Sequence, residues 1–344
     1  MGVTIKDVAR ESGCSVTTVS FVLNGKDQNI SKSTIGRIRQ AVERLGYRPN
    51  RLAVGLVTKK TRIIGLIIPD NCNQFFCNVS KVIESYAWAN NYNIIYGNSG
   101  NDGLRDIEYI NMFIDRRTDG IILVKSSAPE QETEEKLARL IADIDIPLVT
   151  LDRTIAGTNV SSFSIDNRKG GYIATRHLLE LGHKKIGCYT GPRNVSSARE
   201  RTEGYKAALA ESGIAFDSSL LFEGDYQMGR EHRAFLHFRA KDVTAVFAQN
   251  DVMAFGIYRE MQQAGMSIPE HLSIVGFDDN VMSDIMQPPL TTVRQPIESM
   301  SVNAIRHLIR QIESADEKIP AQAFCFEPEL VERKSTAPRK SERA

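Results

Sequence analysis

The segment that decides the first part of the fold is TIKDVARESGCSVTTVSFVLNG, residues 4–25. Thr4 followed three residues later by an aspartate is a capping-box signature, and Ser15 predicts the start of a second helix. Gly13 separates the two predicted helices, and Gly25 closes the second. Two short helices joined by a glycine-containing turn are typical of a helix-turn-helix motif.

A third helix completes this N-terminal head. It is predicted to start at Ser31 and to end at Gly46, with an inner face formed by Ile35, Ile38, Val42 and Leu45. The inner face of the second helix is predicted from the spacing of Val16, Val19 and Leu23.

Charge separates the head from the rest of the chain. The first 62 residues carry 12 Lys and Arg against 4 Asp and Glu, whereas the remaining residues carry a net charge of −7. A basic head on an acidic body favours a polyanionic partner for the head alone. The charge alone is equally consistent with the alternative of a basic surface that contacts only solvent and binds no polyanion.

From residue 63 onward, short apolar runs alternate with amphipathic segments. The predicted core strands are 63–69, 93–99, 119–124, 146–152, 185–191, 245–251 and 272–278. This alternation is typical of βαβ units and parallel sheets. Seven strands exceed one ordinary doubly wound unit, so we predict an α/β body of two lobes. Its ligands should bind beyond the carboxyl ends of the strands.

Several protein classes are disfavoured by what the sequence lacks. There is no apolar run long enough to span a membrane and no signal peptide, so a cytoplasmic protein is expected. The five cysteines form no paired framework, and Cys72 and Cys77 lack a second pair at zinc spacing. Free, mostly buried thiols and no metal or other cofactor are expected. The absence of a nucleophile elbow, a P-loop and a His-x-x-x-His pair argues against an enzyme.

Residues 4–25, the segment YRPNRLAVGL (47–56) and the two-lobe body together resemble the lactose/galactose-repressor family of bacterial transcription factors. Within that family, the body is most similar to ribose repressors. It also resembles periplasmic ribose-binding proteins, which have a Rossmann-type architecture. The stretches that carry this similarity are NQFF (73–76), TLDR (150–153), SARERTEGY (197–205), FAQNDVMAFG (247–256), GFDD (276–279) and PPLTTVRQP (288–296).

The resemblance implies a domain organisation. It gives a DNA-binding domain at 1–47, a hinge helix and linker at 48–62, and an effector-binding and dimerisation body at 63–335. Within the body, the first lobe is expected at 63–161 and 291–321, and the second lobe at 162–290 and 322–335. Residues 336–344 are predicted to be a disordered tail.

In this family, the second helix of the head lies in the major groove of DNA. The resemblance directs Val16, Thr17 and Phe21 towards the bases. It places near the phosphates Thr4, Ser15, Thr18, Ser20, Asn24, Ser31 and Tyr47. Hydroxyl groups, amides and helix N-termini suit phosphate oxygens on chemical grounds as well.

Phe21 departs from the commonest family pattern, which has Arg after Thr-Val-Ser. Arg would bind guanine through two hydrogen bonds, whereas Phe offers only apolar contact, as with a thymine methyl group. We therefore predict that this position of the operator half-site is read through a thymine methyl or through DNA shape. The alternative is that Phe21 folds back on the head core.

The segment 48–62 resembles the family's hinge helix, which enters the minor groove as a pair. The matching residues are Asn50, Arg51, Ala53 and Leu56, with Leu56 at the position of the leucine wedge. Gly55 disfavours a stable free helix, which is consistent with folding on DNA. A plain linker with Leu56 packed on the body is the alternative.

The resemblance also implies an effector site at the strand ends of the body. Carboxylates, amides and guanidinium groups pair with sugar hydroxyls, and aromatic rings cover the apolar sugar surface. The implied residues are Asn73, Phe75, Phe76, Asp152, Arg153, Arg201, Tyr226, Asn250, Asp278 and Gln295. Each has an ordinary structural explanation by itself, but so many together favour a site, because unpaired buried charges are costly. Lys125, Asp166 and Arg199 are further candidates without an assigned role.

The function implied is that of a homodimeric repressor on double-stranded, pseudo-palindromic operator DNA. Ribose or a related monosaccharide would act as inducer. A purine or another sugar, acting as inducer or corepressor, is the alternative effector. A transport-type sugar-binding protein is opposed by the basic head.

Overall fold

The computed structural model describes residues 3–25, 27–47, 60–127, 131–155, 157–314 and 319–339. The chain divides into two compact units, Met1–Arg62 and Ile63–Ala344, called here the head and the body. The described head helices are α1 (Ile5–Ser12), α2 (Val16–Leu23) and α3 (Lys32–Leu45). No described helix is both long and apolar enough to cross a membrane.

The head helices begin and end where the sequence predicts. The backbone N–H of Thr4 donates to the Asp7 carboxylate (2.9 Å), and Ser15 accepts a hydrogen bond from the backbone N–H of Thr18. Gly13 and Gly46 have φ of +65° and +60°, the left-handed conformation that ends helices. The predicted inner face of α3 is confirmed, with Ile35, Val42 and Leu45 partly buried around the fully buried Ile38.

The inner face of α2 differs from the prediction at one residue. Val16 is 41 % exposed, and Val22 packs into the core beside Val19. The core contacts the later turns of this eight-residue helix, so Val16 at its first position extends beyond the core. The spacing rule identified the correct stripe but started it one turn too early.

In the part of the body that the structure describes, the strands form two sheets of six strands each. Their orders are β11-β5-β4-β3-β1-β2 and β12-β10-β9-β8-β6-β7. The strands are β1 (Ile63–Ile68), β2 (Asn93–Asn98), β3 (Gly120–Leu123), β4 (Leu148–Leu151), β5 (Ser161–Ile165), β6 (Ile186–Thr190), β7 (Leu221–Glu223), β8 (Ala245–Ala248), β9 (Ser273–Asp278), β10 (Thr291–Arg294), β11 (Ala323–Phe326) and β12 (Glu329–Val331). All pairings are parallel except that of β12 with β10.

Helices cover both sheets. The described helices of the body are α4 (Gln74–Ala89), α5 (Gly103–Asp115), α6 (Gln131–Asp143), α7 (Asn167–Glu180), α8 (Ser196–Glu211), α9 (Glu231–Ala240), α10 (Asp251–Gln263), α11 (Val281–Ile285) and α12 (Ile297–Glu313). All seven predicted strands are present, and the α/β two-lobe architecture with parallel sheets is confirmed.

The expected lobe boundaries are wrong at three places. Strand β5 pairs with β4 and belongs to the first lobe, as does β11, which pairs with β5. Strand β10 pairs with β9 and belongs to the second lobe. These strands are short, and β5 and β10 are partly polar, so strand pairing and not local sequence assigns them. The chain therefore crosses between the lobes after β5, after β10 and between β11 and β12.

The prediction of a disordered tail from residue 336 is wrong for residues 336–339. Thr336 forms a hydrogen bond with His177 (2.9 Å), and the backbone N–H of Ala337 donates to Ser273 Oγ (3.2 Å). The backbone of this segment finds partners on the second lobe, which composition could not show. The residues after 339 lie outside the described part.

Helices α7 and α8 cross in backbone contact. A Cβ atom on Gly171 would lie 2.0 Å from the carbonyl oxygen of Arg201, and one on Gly204 would lie 2.0 Å from that of Arg168. Any larger residue at either position would force the helices apart. Glycine at these two positions therefore fixes the location of α8.

We expect Gly171→Ala to lower the free energy of unfolding of the body by about 1–3 kcal/mol, because overpacking displaces α8. Gly36→Ala makes the same chemical change at an exposed site of α3 with open space around it. It should stabilise the head by about 0.5–1 kcal/mol. Urea unfolding of the variants measures both effects. An unchanged midpoint for the body in Gly171→Ala would contradict the packing argument.

Candidate functional site

A cleft at the carboxyl ends of strands from both lobes brings the predicted effector residues together. Its lining consists of Asn73, Phe75, Phe76, Asp152, Arg153, Ser197, Arg201, Tyr226, Asn250, Asp278 and Gln295. All ten predicted residues are in this set. Ser197, near the start of α8, was missed because a serine at a helix start is ordinarily a cap.

Arg201 is the most constrained charged group in the cleft. Its side chain is 4 % exposed, its Nη1 donates to the backbone oxygen of Gln249 (2.5 Å), and its Nε donates to Asn167 Oδ1 (2.9 Å). Its guanidinium carbon lies 3.6 Å from the ring centroid of Phe277, a close cation–π contact. These contacts hold the guanidinium in one place before any ligand arrives.

Gln249 is a positioning residue that sequence reasoning missed. It is fully buried, and its Oε1 accepts a hydrogen bond from the Gly191 backbone N–H (3.0 Å). Its Nε2 donates to Thr202 Oγ1 (2.9 Å) and to the Ala198 carbonyl (3.2 Å). The side chain thus ties β8 to α8. The available signal was a polar residue at the end of the apolar run AVFA.

On the first-lobe side, Asp152 and Arg153 are both buried. Arg153 Nη1 donates to the carbonyl of Lys125 (2.9 Å), and Arg153 Nε lies 3.5 Å from Asp152 Oδ2. Arg153 Nε and Gln295 Oε1 are buried polar atoms with no hydrogen-bond partner among the described residues. Such unsatisfied atoms are costly, and they indicate places where a bound molecule would form hydrogen bonds.

The carboxyl groups of the cleft have shifted acidities. Burial raises the pKa of Asp278 from 3.8 to about 7; the positive charge of Arg201 opposes this increase, and the nearby Asp251 adds a smaller one. Burial also raises the pKa of Asp152 against the opposing effects of Arg153 and Arg201. The cleft therefore holds carboxyl groups that gain by receiving additional hydrogen-bond donors.

Three of the residues that line the cleft have a strained backbone. Asp152, Tyr226 and Asp278 have φ of +67°, +66° and +109°, in the left-handed region that residues other than glycine seldom adopt. Such conformations persist only where the surrounding structure enforces them, and they cluster at functional sites.

The three additional candidates do not line the cleft. Lys125 forms an ion pair with Glu134, and its carbonyl holds Arg153. Asp166 caps α7 by accepting a hydrogen bond from the Lys169 backbone N–H (2.8 Å). The exposed Arg199 donates to the Asn194 carbonyl (3.3 Å).

The cysteines are free, but the expectation that most are buried is wrong. Cys188 is buried, whereas Cys72 and Cys325 are exposed. In the part of the chain that the structure describes, no group of three or more His, Cys, Asp or Glu is arranged to hold a metal ion.

In the head, α2 presents Phe21 to solvent. Its side chain is 46 % exposed and lies outside the head core, so the alternative that it folds back on that core is wrong. Val16 and Thr17 are exposed on the same helix. The other predicted phosphate-facing residues are exposed or partly buried: Thr4, Ser15, Thr18, Ser20, Asn24, Ser31 and Tyr47. The predicted hinge contacts lie outside the described residues: Asn50, Arg51, Ala53 and Leu56.

Comparison with known proteins identifies the family. The model of bacterial regulatory proteins of the lacI family matches residues 4–50, and that of the periplasmic binding protein-like domain matches 175–336. The HTH-type transcriptional repressor PurR of Vibrio atlanticus is 35 % identical over 333 residues, which cover 96 % of this chain and 97 % of that protein. The chain belongs to the lacI family. As a LacI-family member, it is a DNA-binding transcriptional repressor regulated by a small-molecule effector, and it is not an enzyme.

Solved structures of the family show the same fold. A LacI-family regulator from Enterococcus faecium with bound ribose is 30 % identical, with a TM-score of 0.71 over 81 % of this chain and 100 % of that chain. The lac repressor dimer bound to operator and the anti-inducer ONPF is 24 % identical. It superimposes with a TM-score of 0.87 over 98 % of this chain and 100 % of that chain.

The shifted acidity of Asp278 makes the stability of the ligand-free body depend on pH. The native carboxyl keeps its proton up to about pH 7, whereas the unfolded one loses it near 3.8. The native state therefore binds more protons in this window, and the free energy of unfolding should fall as pH rises through it. Asp278→Asn should reduce this slope in urea unfolding between pH 4 and 7.

Asp217→Asn is the control for this experiment. Asp217 is exposed, and hydrogen bonds from Ser219 lower the pKa of its carboxyl group, so it titrates below this window. That variant should retain the slope. Equal slopes in the wild type and Asp278→Asn would show that another group is responsible.

Proposed function

We propose that this LacI-family repressor responds to a small sugar, ribose or a closely related monosaccharide, which acts as inducer. The observation that carries the proposal is the composition of the cleft. The carboxyl groups of Asp152 and Asp278 and the guanidinium groups of Arg153 and Arg201 surround a space also lined by aromatic rings. Vicinal hydroxyls donate to carboxylates and accept from guanidinium groups, and rings cover the C–H faces of a sugar.

The unsatisfied atoms of the cleft support a hydroxyl-rich ligand. Arg153 Nε needs an acceptor, and Gln295 Oε1 needs a donor. A hydroxyl group can both donate and accept a hydrogen bond, so a polyol can pair with Arg153 Nε and with Gln295 Oε1 at the same time. The ribose bound to the E. faecium regulator, which is 30 % identical, supports the same ligand class.

A purine is the second candidate, favoured by the similarity to PurR along nearly the whole chain. A flat purine base stacks on an aromatic face, and two parallel rings would contact it on both sides. The adjacent Phe75 and Phe76 rings are instead edge-to-face, with an interplanar angle of 74° and centroids 5.2 Å apart. The ring arrangement and the two carboxyl groups favour the sugar.

The mechanism follows from where the ligand groups are attached. Asp152 and Arg153 follow a strand of the first lobe, while Arg201 and Asp278 belong to the second lobe. A sugar that contacts both sets stabilises one relative arrangement of the lobes. It acts as inducer if that arrangement binds operator less tightly, because a ligand shifts an equilibrium only through its different affinities for the two states.

DNA binding is proposed for a homodimer on a pseudo-palindromic operator, with α2 in the major groove. Val16, Thr17 and Phe21 would contact bases. The hydroxyl and amide groups of the head would contact phosphates, and Asn50, Arg51, Ala53 and Leu56 would act in the minor groove. The exposure of Phe21 beside the exposed Thr17 on the same helix supports this assignment.

Calorimetry with ribose and with hypoxanthine tests the effector. We expect heat of binding with ribose and about ten- to hundredfold weaker binding in Asp152→Asn, which removes one charged acceptor. Asp166→Asn makes the same change outside the cleft, and an Asn caps α7 as well as Asp does. Ribose should also lower the anisotropy of labelled operator DNA. Heat with hypoxanthine and none with ribose would replace the sugar proposal by the purine.

Binding-site selection with Phe21→Arg tests the operator reading. We expect one position of each half-site to change towards guanine, with discrimination of about 1–3 kcal/mol, because Arg binds guanine through two hydrogen bonds. Phe21→Ala removes the ring without adding a donor and should relax the preference at that same position. An identical base preference in all three proteins would show that residue 21 contacts no base.

A further inference from the structure

Two cysteines lie on either side of the residue that caps α4. Cys72 immediately precedes the cap, Asn73, and Cys77 is the fourth residue of the helix. Side chains at these two positions commonly pack against each other across a helix start. In this chain, both of these positions carry a cysteine.

Contacts with Asn71 bring the two cysteine side chains close together. The Cys77 thiol donates to the Asn71 carbonyl oxygen (3.0 Å), and the Cys72 sulfur lies 3.6 Å from Asn71 Oδ1. The planar peptide joins that carbonyl oxygen rigidly to the Cα atom of Cys72. Standard bond lengths then place the Cys77 sulfur within roughly 6 Å of that Cα atom. A disulfide requires the two sulfurs to lie about 2.05 Å apart, so bond formation needs rotation of the Cys72 side chain and a shift of the turn.

The pair is accessible and lies next to the cleft. Cys72 is exposed and Cys77 is partly buried, so a small reagent that reacts with thiols reaches Cys72 directly. Between them lies Asn73, whose Oδ1 accepts a hydrogen bond from the Phe75 backbone N–H (2.9 Å). Asn73, Phe75 and Phe76 all line the cleft.

We propose that Cys72 and Cys77 form a reversible disulfide that weakens effector binding. Closing this short loop would pull residue 72 towards the first turn of α4 and displace the cap between the two sulfurs. The aromatic and amide groups that this turn contributes to the cleft would move with it, and binding groups tolerate only small displacements.

The chemistry needs a low-molecular-weight disulfide as oxidant. The Cys72 thiolate attacks one sulfur of that reagent, which forms a mixed disulfide and releases one reagent thiolate. The Cys77 thiolate then attacks the Cys72 sulfur and releases the second reagent thiolate. The two protons lost by the protein thiols are taken up by the two released thiolates. The protein loses two electrons and the reagent gains them.

Oxidised glutathione and the full-length protein provide the test of bond formation. Trypsin cleaves after Arg62 and Lys81, so one peptide, 63–81, contains both cysteines and no other. We expect this peptide to lose the mass of two hydrogen atoms on oxidation and to regain it with dithiothreitol. Cys72→Ser and Cys77→Ser should each abolish that change. Cys325→Ser, which alters another exposed thiol, should retain it.

The second measurement is the affinity for ribose, and this part rests on the proposed function. We expect oxidation to weaken ribose binding about tenfold, the effect of losing one good hydrogen bond. Cys72→Ser should bind ribose as the reduced wild type does, with or without oxidant. If reduced protein binds no ribose, the peptide mass still decides whether the disulfide forms, and the effector found by calorimetry then replaces ribose.

Two results would overturn the proposal. A stable glutathione adduct on Cys72 without the internal disulfide would show that the two sulfurs do not meet. A complete internal disulfide with unchanged effector affinity would show that the cap region does not control the cleft. Circular dichroism of each variant confirms that the body remains folded.

Discussion

Everything in the cleft depends on holding several ionisable side chains in a small, largely water-excluded space. An isolated charge there would be prohibitively costly, so each one requires a partner. The guanidinium group of Arg201 is held by the backbone oxygen of Gln249, the amide of Asn167 and the ring of Phe277. Asp278 accepts a hydrogen bond from Gln295 Nε2 (2.6 Å) and Asp152 lies 3.5 Å from Arg153 Nε, but burial still raises the pKa of both carboxyl groups. In the ligand-free cleft, the guanidinium groups are therefore already held in place, whereas the carboxyl groups can still accept hydrogen bonds. A ligand rich in hydrogen-bond donors gains affinity at such a preorganised site.

That arrangement places demands on residues far from the cleft surface. The contact of α7 with α8 at Gly171 and Gly204 fixes the helix that carries Arg201. The buried Gln249 side chain attaches the same helix to the sheet. The left-handed backbone at Asp152 and Asp278 directs the opposing carboxyl groups. Each of these features costs stability or limits sequence choice, and each is explained by the position of a group in the cleft.

Local sequence signals were sufficient where the physics is local. Capping residues located the head helices, and apolar runs bounded by polar residues located the core strands. The ten predicted effector residues lie in one cleft because parallel strands deliver their ends to one edge of a sheet. Prediction failed where the outcome depends on distant partners. Strand β5 is half polar and is defined by its pairing with neighbouring strands. Residues 336–339 are ordered by hydrogen bonds to the second lobe. Val16 was assigned to the head core, which is too small to reach it.

The three crossings between the lobes also determine when the body can fold during synthesis. Strand β5 pairs with β11, whose residues lie about 160 positions further along the chain. The first sheet therefore has an unpaired edge, and lacks the cover of α12, until nearly all of the polypeptide has left the ribosome. The second sheet waits in the same way for β12. The head is contiguous in sequence and has no such delay, so its three described helices can form on the nascent chain well before the effector cleft is complete.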